Sequence, residues 1–566
     1  MLSTKGASGG GCGDAAGGNG HKGPKWDERE LRGDIVAPGK FCLGNFILHP
    51  GWFGLYVWQP MDTDHFLVEK PSPGSEACIL IGRAPDGMSP RGEPWRRVLW
   101  IVDAAGAGGG RGSLAGAAVT VLPVDQCTPA QLEAAVDDFL TRTPKRLPGL
   151  YVTCGMPSEY EARFEAAIAT VVAELESHHR ARVTRQKDAF AWQSHLFENA
   201  SAYAAHRLPD EWQGALAGLP AIVCGAGPSL EVSVCTLARM AGNGVVFAAD
   251  SSLKALARVG IEADFAVSVD VAKKPVKCLP EGCGPGRVVL SVNSPPEWSE
   301  TMPAECRYYV SSNQLTLDWL ASLGVTRTKV AVCENCGSTA IELARFLGCA
   351  PICLFGMDLS LNADGPVQRH HGGVETSLYT NSGFNPKQEY PRVPGNFSAE
   401  VPTHVIGDWR ALDRRLAGWP AGLVWVVTDR GARLSNTTVL RPEEFALPAS
   451  VGQKESRLAA LAGPAAATVG QLRVASEKLG RFGKGLVEWA PALRRALETG
   501  GANALAANLR SLFAVPEHGQ MLGAYSLKLM PHLLPPIEEG TDWGAIIDEL
   551  ERLGRDAKEA AAALGS

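Results

Sequence analysis

The chain has 566 residues, of which 45% are hydrophobic and 20% are charged, with a formal net charge of −6 at neutral pH. This length exceeds what one hydrophobic core supports, so we expect several globular domains. The slightly acidic balance gives no basic surface for nucleic acid, and no apolar run reaches the roughly 18–20 residues that span a bilayer. The N-terminus has no hydrophobic signal core, so the sequence predicts a cytoplasmic protein.

The first 215 residues predict a tail, a small domain and a connector. Residues 1–30 are Gly-rich, and we expect them to be disordered. Residues 31–155 predict an α/β domain, and residues 156–215 predict a helical connector. A capping box of Thr128 and Gln131 predicts the start of a helix in the small domain. A second capping box, of Ser158 and Glu161, predicts the start of the connector helix. The predicted strands of the small domain are 55–58, 77–81, 98–102, 118–122 and 150–153.

Residues 216–445 alternate between strand-like and helical segments, which predicts βαβ units and a Rossmann-like parallel sheet covered on both faces. Ligands of such sheets bind beyond the carboxyl ends of the strands. Residues 446–566 predict an antiparallel helical domain, in which Asp542 caps the last helix. The predicted strands of the central domain are 222–224, 245–249, 265–269, 288–292, 308–311, 330–333, 352–355 and 424–427.

The segment PAIVCGAGPSL at 220–230 is typical of a buried strand that runs into a phosphate-binding turn. Gly225 and Gly227 permit close backbone approach, Pro228 presets a helical φ, and Ser229 offers a hydroxyl at the helix start. Leu230 replaces the third glycine of the dinucleotide fingerprint, which argues against a dehydrogenase. The segment therefore predicts a mononucleotide phosphate site, with a purely structural turn as the alternative.

Polar residues follow other predicted strands at the same edge of the sheet. Asp250 comes about twenty residues after the turn, where an acid in a nucleotide-binding fold holds the ribose. Residues 337–339 begin a second helix, for which Thr339 and Glu342 predict a capping box. Two positive helix ends on one edge suit a phosphate-bearing ligand, although each is also explained as an ordinary helix start.

Asp358 follows the predicted strand at 352–355 and is itself followed by a polar loop. Its carboxylate is suited to capping a turn, contacting a sugar or holding a metal. His370 and His371 lie in that loop and titrate near neutral pH, so either is a candidate general base or an exposed residue without a role.

Four cysteines superficially resemble a zinc site, namely Cys333 and Cys336 with Cys349 and Cys353. A helix between the two pairs separates them by roughly 16–18 Å, which is too far for one ion. A redox function of the Cys333 and Cys336 pair is left open.

The motifs together resemble the motility accessory factor (Maf) family of flagellin glycosyltransferases. Residues 190–440 carry the resemblance, and the same core occurs in MptE-like 6-hydroxymethylpterin pyrophosphokinases and, more distantly, in bacterial sialyltransferases that use a CMP-sugar. The matching segments are CGAGPSL (224–230), VVFAADSSLKALARVGIEADFAVSVD (245–270), CGSTAIELARFLGCAPICLFGMDLSL (336–361), HHGG (370–373), VPTHVIGDW (401–409) and VVTDRGARLSNTT (426–438).

The resemblance implies transfer of a nonulosonic acid from a CMP-activated donor to serine or threonine hydroxyls of flagellin, without a metal cofactor. Backbone N–H groups at both helix starts would stabilise the departing phosphate, and Asp250 or Ser251 would hold the ribose or base. Asp270 and Asp358 would bind the sugar or orient the acceptor, and His370 or His371 would be the general base. The implied nucleotide-binding residues are Gly225, Gly227, Pro228, Ser229, Asp250, Ser251, Gly337, Ser338 and Thr339.

Two alternatives differ from this hypothesis in their chemistry. An MptE-like 6-hydroxymethyl-dihydropterin pyrophosphokinase would use ATP and Mg²⁺, which Asp250, Asp270 and Asp358 would coordinate. The second alternative is a flagellin-binding module without catalytic activity, which would not need an intact nucleotide-binding site.

Overall fold

The structure, a computed structural model, describes residues 41–43, 46–48, 60–61, 65–69, 77–83, 96–108, 117–142, 147–153, 157–281, 284–361, 390–447, 451–534, 537 and 540–566. The chain divides into two compact units, residues 1–50 and 51–566. In the first unit, β1 (Phe41–Leu43) and β2 (Phe46–Leu48) form an antiparallel pair. The predicted tail at 1–30 and the predicted strand at 55–58 lie outside the described residues.

The second unit begins with six strands and one helix that form an α/β layer. The elements are β3 (Pro60–Met61), β4 (His65–Glu69), β5 (Ala77–Ile81), β6 (Arg97–Val102), β7 (Ala118–Pro123), α1 (Pro129–Thr141) and β8 (Gly149–Thr153). The strands form one sheet in the order β3-β4-β8-β5-β6-β7. The predicted capping box of α1 is confirmed, because Thr128 accepts a hydrogen bond from the N–H of Gln131 and the Gln131 side chain accepts one from Thr128.

Two helices, α2 (Glu161–Glu198) and α3 (Ala200–Ala205), lead from this layer to the central sheet. The second predicted capping box is wrong. A 3₁₀ turn at Ser158–Tyr160 comes first, so Tyr160 is the residue before α2 and makes no capping bond with its side chain.

Eight strands form the central sheet, and all of them are parallel. They are β9 (Ala221–Cys224), β10 (Val245–Ala249), β11 (Phe265–Ser268), β12 (Val288–Ser291), β13 (Arg307–Val310), β14 (Ile352–Phe355), β17 (Val424–Val427) and β18 (Thr437–Leu440). Their order is β13-β12-β11-β10-β9-β14-β17-β18, and β15 (Arg392–Pro394) pairs separately with β16 (Glu400–Pro402). The predicted parallel sheet is confirmed, but the predicted strand at 330–333 is wrong, because only Ala331 bridges to Ser311 there.

Helices cover both faces of this sheet, as the βαβ pattern predicts. Along β9, Ile222 and Cys224 point into a core shared with the C-terminal helices. Ala221 and Val223 alternate with them and point into a second core. The helices of this part are α4 (Leu230–Met240), α5 (Leu253–Ala257), α6 (Pro275–Cys278), α7 (Glu297–Thr301), α8 (Leu315–Ser322), α9 (Cys336–Phe346) and α10 (Ile406–Ala417).

The C-terminal part is helical, as predicted. Its elements are α11 (Val451–Ala459), α12 (Val469–Leu512), α13 (Pro516–Met521), α14 (Gly523–Leu533) and α15 (Trp543–Gly565). Asp542 caps α15, as predicted, by accepting a 2.9 Å hydrogen bond from the N–H of Ala545. Gln193 of α2 bonds to the backbone of Met521 and Ala524, which ties α2 to these helices. Among the described helices, none has the length and apolarity needed to cross a bilayer.

Candidate functional site

The strand order creates a switch point between β9 and β14. From β9 the chain moves outward through β10, β11, β12 and β13, and it then returns to place β14 on the other side of β9. Open α/β sheets bind ligands beyond the carboxyl ends of strands at such a point. A cleft of about 650 Å³ opens there, and residues that follow β9 to β14 line it.

The glycine turn after β9 packs directly against the chain that follows β14. Its hydrogen bonds run from Gly225 N–H to Phe355 O (2.8 Å), from Gly227 N–H to Gly356 O (2.7 Å) and from Ser229 N–H to Asp358 Oδ2 (2.7 Å). A Cβ atom on Gly227 would lie 2.4 Å from Asp358 Oδ2 and 2.7 Å from Gly356 O. The missing side chain at Gly227 therefore lets the two loops form one floor beneath the cleft.

These contacts reduce the number of N–H groups in the turn that are available to bind a phosphate. Three of its predicted donors already serve the second loop, and Ser229 is fully buried. Ala226 lines the cleft between the two glycines, and within the described chain its N–H has no partner. Direct backbone contact with a phosphate would therefore fall to Ala226, whereas Gly225 and Gly227 shape the surface around it.

Asp358 lines the cleft and is 4% exposed. Burial raises the pKa of its carboxyl group, and the hydrogen bonds from Ser229 and the charge of Arg430 only partly oppose this rise. Its backbone carbonyl accepts from the N–H of Ala432, which fixes the loop from the other side. A positioned carboxyl group with a raised pKa has the properties of a general acid or base.

Asp250 lies behind the cleft wall and is completely buried. Its carboxylate accepts hydrogen bonds from Ser251 N (2.6 Å), Lys273 Nζ (2.8 Å), Ser268 Oγ (2.9 Å), Ser251 Oγ (3.0 Å) and Cys336 Sγ (3.3 Å). Burial favours the neutral acid, but the charge of Lys273 and these hydrogen bonds outweigh it and lower the pKa of Asp250. A ribose or a metal would therefore have to displace existing partners to reach this carboxylate.

Lys273 carries the charge of this network into the cleft. Its side chain is 18% exposed, lines the cleft, and also donates a 2.6 Å hydrogen bond to Ser251 Oγ. Lys273 was not identified from the sequence. The signal was present, since it stands three residues after Asp270 in the loop that follows β11.

A second wall comes from α2, which the sequence predicts only as part of a helical connector. Asp188 and Trp192 of α2 line the cleft together with Asp270. Burial raises the pKa of Asp188, and the nearby negative charge of Asp270 raises it further. Asp270 also accepts a 2.9 Å hydrogen bond from the N–H of Ala272. The predicted residue Asp270 therefore lies in the cleft, and Asp188 and Trp192 are additions to the site.

The start of α9 reaches the same cleft, as predicted, but its cap differs. Asn335 caps the helix by accepting a 2.8 Å hydrogen bond from the N–H of Ser338, so the predicted capping box of Thr339 and Glu342 is wrong. Gly337 lines the cleft and lies so close to Met357 that a Cβ atom would be 2.5 Å from its sulfur. Ser338 and Thr339 are fully buried, so their side chains support the helix start from within.

The cysteines are explained by burial. Burial raises the pKa of Cys333 to about 11 and that of Cys336 well above its ordinary value. Cys336 donates to Asp250, and Cys349 and Cys353 lie in the cores on opposite faces of the sheet. Both thiols of the Cys333 and Cys336 pair are therefore protonated at neutral pH, which does not favour redox chemistry.

The two predicted histidines, His370 and His371, lie outside the described residues. His404 and Asp408 are in the described part of the cleft, and Asp408 accepts a 2.9 Å hydrogen bond from the side chain of Asn335. Both belong to the segment VPTHVIGDW, so the sequence marked the segment without assigning a function to either side chain.

Within the described ranges, one group of three possible metal ligands has its ligand atoms close together. It is formed by Asp137, Glu174 and His178, and it lies outside the cleft. In the cleft, Asp250 and Asp358 are engaged by hydrogen-bond donors, as described above.

Comparison with known proteins agrees with this architecture. The model of the family described as 6-hydroxymethylpterin diphosphokinase MptE-like matches residues 194–364. A Maf glycosyltransferase from Magnetospirillum magneticum AMB-1 has a similar fold, with a TM-score of 0.50 and 16% identity over 86% of this chain and 79% of that chain. No curated protein matches the sequence significantly. Residues 194–364 are therefore an MptE-like region, in a chain whose fold is similar to that of a Maf glycosyltransferase.

Proposed function

We propose that the chain is a glycosyltransferase that moves a nonulosonic acid from a CMP-activated donor to serine or threonine hydroxyls of flagellin, and so supports flagellar assembly and motility. The observation that carries the proposal is the cleft at the switch point, where the turn after β9 joins the Gly-Met-Asp segment after β14. A cleft of this size accommodates a nucleotide sugar. The fold similarity to a Maf glycosyltransferase supports the reaction class.

The donor phosphate would lie between the floor of the cleft and the start of α9. Ala226 and the positive end of α9 line this region, and Lys273 adds a cation beside it. As the bond between sugar and phosphate breaks, negative charge grows on the departing CMP. Fixed donors and a cation at that position stabilise the charge without reorganisation.

The acceptor hydroxyl forms a bond to the anomeric carbon while the bond from that carbon to the phosphate oxygen breaks. The proton of the hydroxyl needs a base. Asp358 is suited to this task because burial raises the pKa of its carboxyl group and Ser229 holds it in one orientation. His370 and His371 are the alternative bases, and Asp270 is placed to bind the donor sugar or to orient the acceptor.

The match to the MptE-like family model favours a second candidate, a pterin diphosphokinase that uses ATP and Mg²⁺. That reaction needs carboxylates presented to a divalent cation. The Nζ atom of Lys273 is 2.8 Å from the carboxylate of Asp250. Its ammonium group therefore occupies the position at which a metal ion would bind that carboxylate, and its positive charge repels such an ion. The residues therefore fit metal-independent glycosyl transfer better than they fit a Mg²⁺ site at Asp250.

One assay separates the candidates. The purified full chain is incubated with flagellin and a CMP-activated nonulosonic acid, with EDTA present, and flagellin peptides are weighed by mass spectrometry. A matched reaction contains ATP, Mg²⁺ and 6-hydroxymethyl-dihydropterin. Sugar-modified peptides in the first reaction support the proposal. Pterin diphosphate in the second reaction alone would replace it, and flagellin binding without either product would indicate a module without activity.

A further inference from the structure

The end of the cleft beside β12 and β13 differs from the end beside the glycine turn. Around the turn the lining includes charged groups, among them Lys273 and Asp358. Beyond β12 and β13 the lining includes amide and hydroxyl groups, contributed by Asn293, Ser312 and Gln314, and Trp192 of α2 adds an indole ring. These side chains have no task in the mechanism above.

Trp192 is held in place through the backbone around it. Its carbonyl oxygen accepts a 2.8 Å hydrogen bond from the side chain of Asn293. One turn further along α2, His195 contacts the carbonyl oxygen of Asn293 at 3.1 Å through Nδ1, and Asn199 donates to two more carbonyl groups after β12. These bonds pin this turn of α2 to the loop after β12, so the half-buried indole is presented at a fixed position in the cleft.

Two polar atoms of side chains that line the same cleft lack a partner. Ser312 is 5% exposed, and its Oγ atom makes no hydrogen bond within the described structure. The Oε1 atom of Gln314 is also buried without a partner there. Buried polar groups in native proteins are nearly always paired, so two unpaired atoms in one cleft point to a ligand that supplies the partners.

We propose that Trp192, Ser312 and Gln314 form a subsite for the base of the donor nucleotide. The inference rests on the proposed function, which makes the donor a nucleotide. The strand order places β12 and β13 on the side of β9 opposite to β14. A nucleotide with its phosphate near the turn would therefore extend its base toward Trp192 and leave the sugar near Asp358.

The chemistry of the three side chains matches a planar base that carries hydrogen-bonding groups on its edge. The indole ring stacks on the planar face of a base. The Oε1 atom of Gln314 accepts from an exocyclic amino group such as that of cytosine, and the hydroxyl of Ser312 donates to a ring nitrogen or carbonyl group. Uracil presents a carbonyl group where cytosine has its amino group, and the Gln314 amide meets it by turning over to donate from Nε2, so the subsite accepts either pyrimidine.

Calorimetry of the full chain with CMP and UMP tests the subsite. We expect Trp192→Ala to weaken CMP binding about 5- to 150-fold, and Trp192→Phe to retain most of the affinity because it keeps an aromatic face. Ser312→Ala should weaken binding about 2- to 12-fold. Gln314→Leu should weaken the binding of CMP and of UMP about 2- to 12-fold. The matched control is Trp489→Ala, which removes a half-buried tryptophan from α12 and should bind CMP like the wild type.

The outcomes separate this inference from the function on which it rests. CMP binding that survives unchanged in Trp192→Ala and Ser312→Ala would overturn the subsite and leave the glycosyltransferase proposal in place. Equal losses in Trp192→Phe and Trp192→Ala would also overturn it, because stacking would then not be the cause. A wild-type chain that binds neither CMP nor UMP would overturn the subsite and the proposed function together.

Discussion

The backbone N–H of Ser229 donates a 2.7 Å hydrogen bond to Oδ2 of Asp358, across 129 residues of sequence. This bond joins the loops after β9 and β14, the two strands that flank the switch point. It also orients a carboxyl group whose pKa is raised by burial. The glycine turn is therefore important for holding Asp358 as well as for shaping a phosphate site.

Replacing Asp358 by asparagine tests its assignment as the base. The amide keeps an oxygen for the N–H of Ser229 and nearly the same volume, but it does not take up a proton. We expect kcat to fall about 10²- to 10⁴-fold, with CMP affinity close to that of the wild type. Steady-state kinetics and calorimetry on the same preparation measure both quantities. Near-normal turnover would assign the base to another residue, with His370 and His371 next to be replaced by alanine.

The raised pKa of Asp358 also predicts the shape of the pH profile. A base must be deprotonated, so the rate falls as the pH drops through the pKa of Asp358 in the folded protein. Because burial raises that pKa, the acidic limb of kcat/KM should lie above the ordinary range of aspartate, which is about 3.9. The profile is measured for the wild type and for Asp358→Asn. An identical acidic limb in the variant would show that the limb reports a different group.

Gly227→Val should disrupt the floor of the cleft. A Cβ atom there would lie 2.4 Å from Asp358 Oδ2, so the loops must separate, which overpacking makes unfavourable by about 1–3 kcal/mol. We expect loss of CMP binding together with a lower melting temperature. The matched control is Gly463→Val, at a position where a Cβ atom would meet open space. A Gly227 variant that behaves like this control would show that the two loops do not depend on each other.

The sheet was predictable because its strands are short apolar runs that are buried on both faces. The bounds of β10, β14 and β17 agree with the predicted ones at both ends. Local sequence patterns gave a wrong strand where pairing with a distant segment decides whether a strand forms. Residues 330–333 are apolar enough for a strand, yet only Ala331 bridges to Ser311.

The sequence predicts which residues lie at the carboxyl ends of the strands better than it predicts where their side chains point. Asp250 follows β10 as expected, but it points inward because Lys273, 23 residues later, meets it through the loop after β11. Trp192 lies in the predicted helical connector, and the periodicity of a helix does not tell which element lies opposite each of its faces. Which side chains line the cleft therefore depends on contacts between segments that are distant in the sequence. The local pattern of each segment does not show these contacts.

Lys273 and Asp250 should behave as a coupled pair. Lys273→Met leaves a buried carboxylate without its counter-ion, and we expect it to reduce the free energy of unfolding by about 3–5 kcal/mol. The double variant Lys273→Met with Asp250→Asn removes both charges and should recover much of that loss. Urea denaturation of the two single variants and the double variant gives the coupling energy. Purely additive losses would contradict the pairing seen in the structure.

The pH dependence of stability gives a separate test of Asp250. Its pKa is lower in the folded protein than in the unfolded chain, so the unfolded chain binds more protons at acidic pH. The stabilisation by its charged form is therefore complete above about pH 4 and is lost as the pH falls through the lowered pKa.

Asp250→Asn lacks this titration and matches the shape of the protonated acid. The difference in unfolding free energy between the wild type and this variant should shrink below about pH 4, measured by urea denaturation. A difference that stays constant down to about pH 3 would show that Asp250 is not held in its charged form by Lys273 and its hydrogen-bond donors.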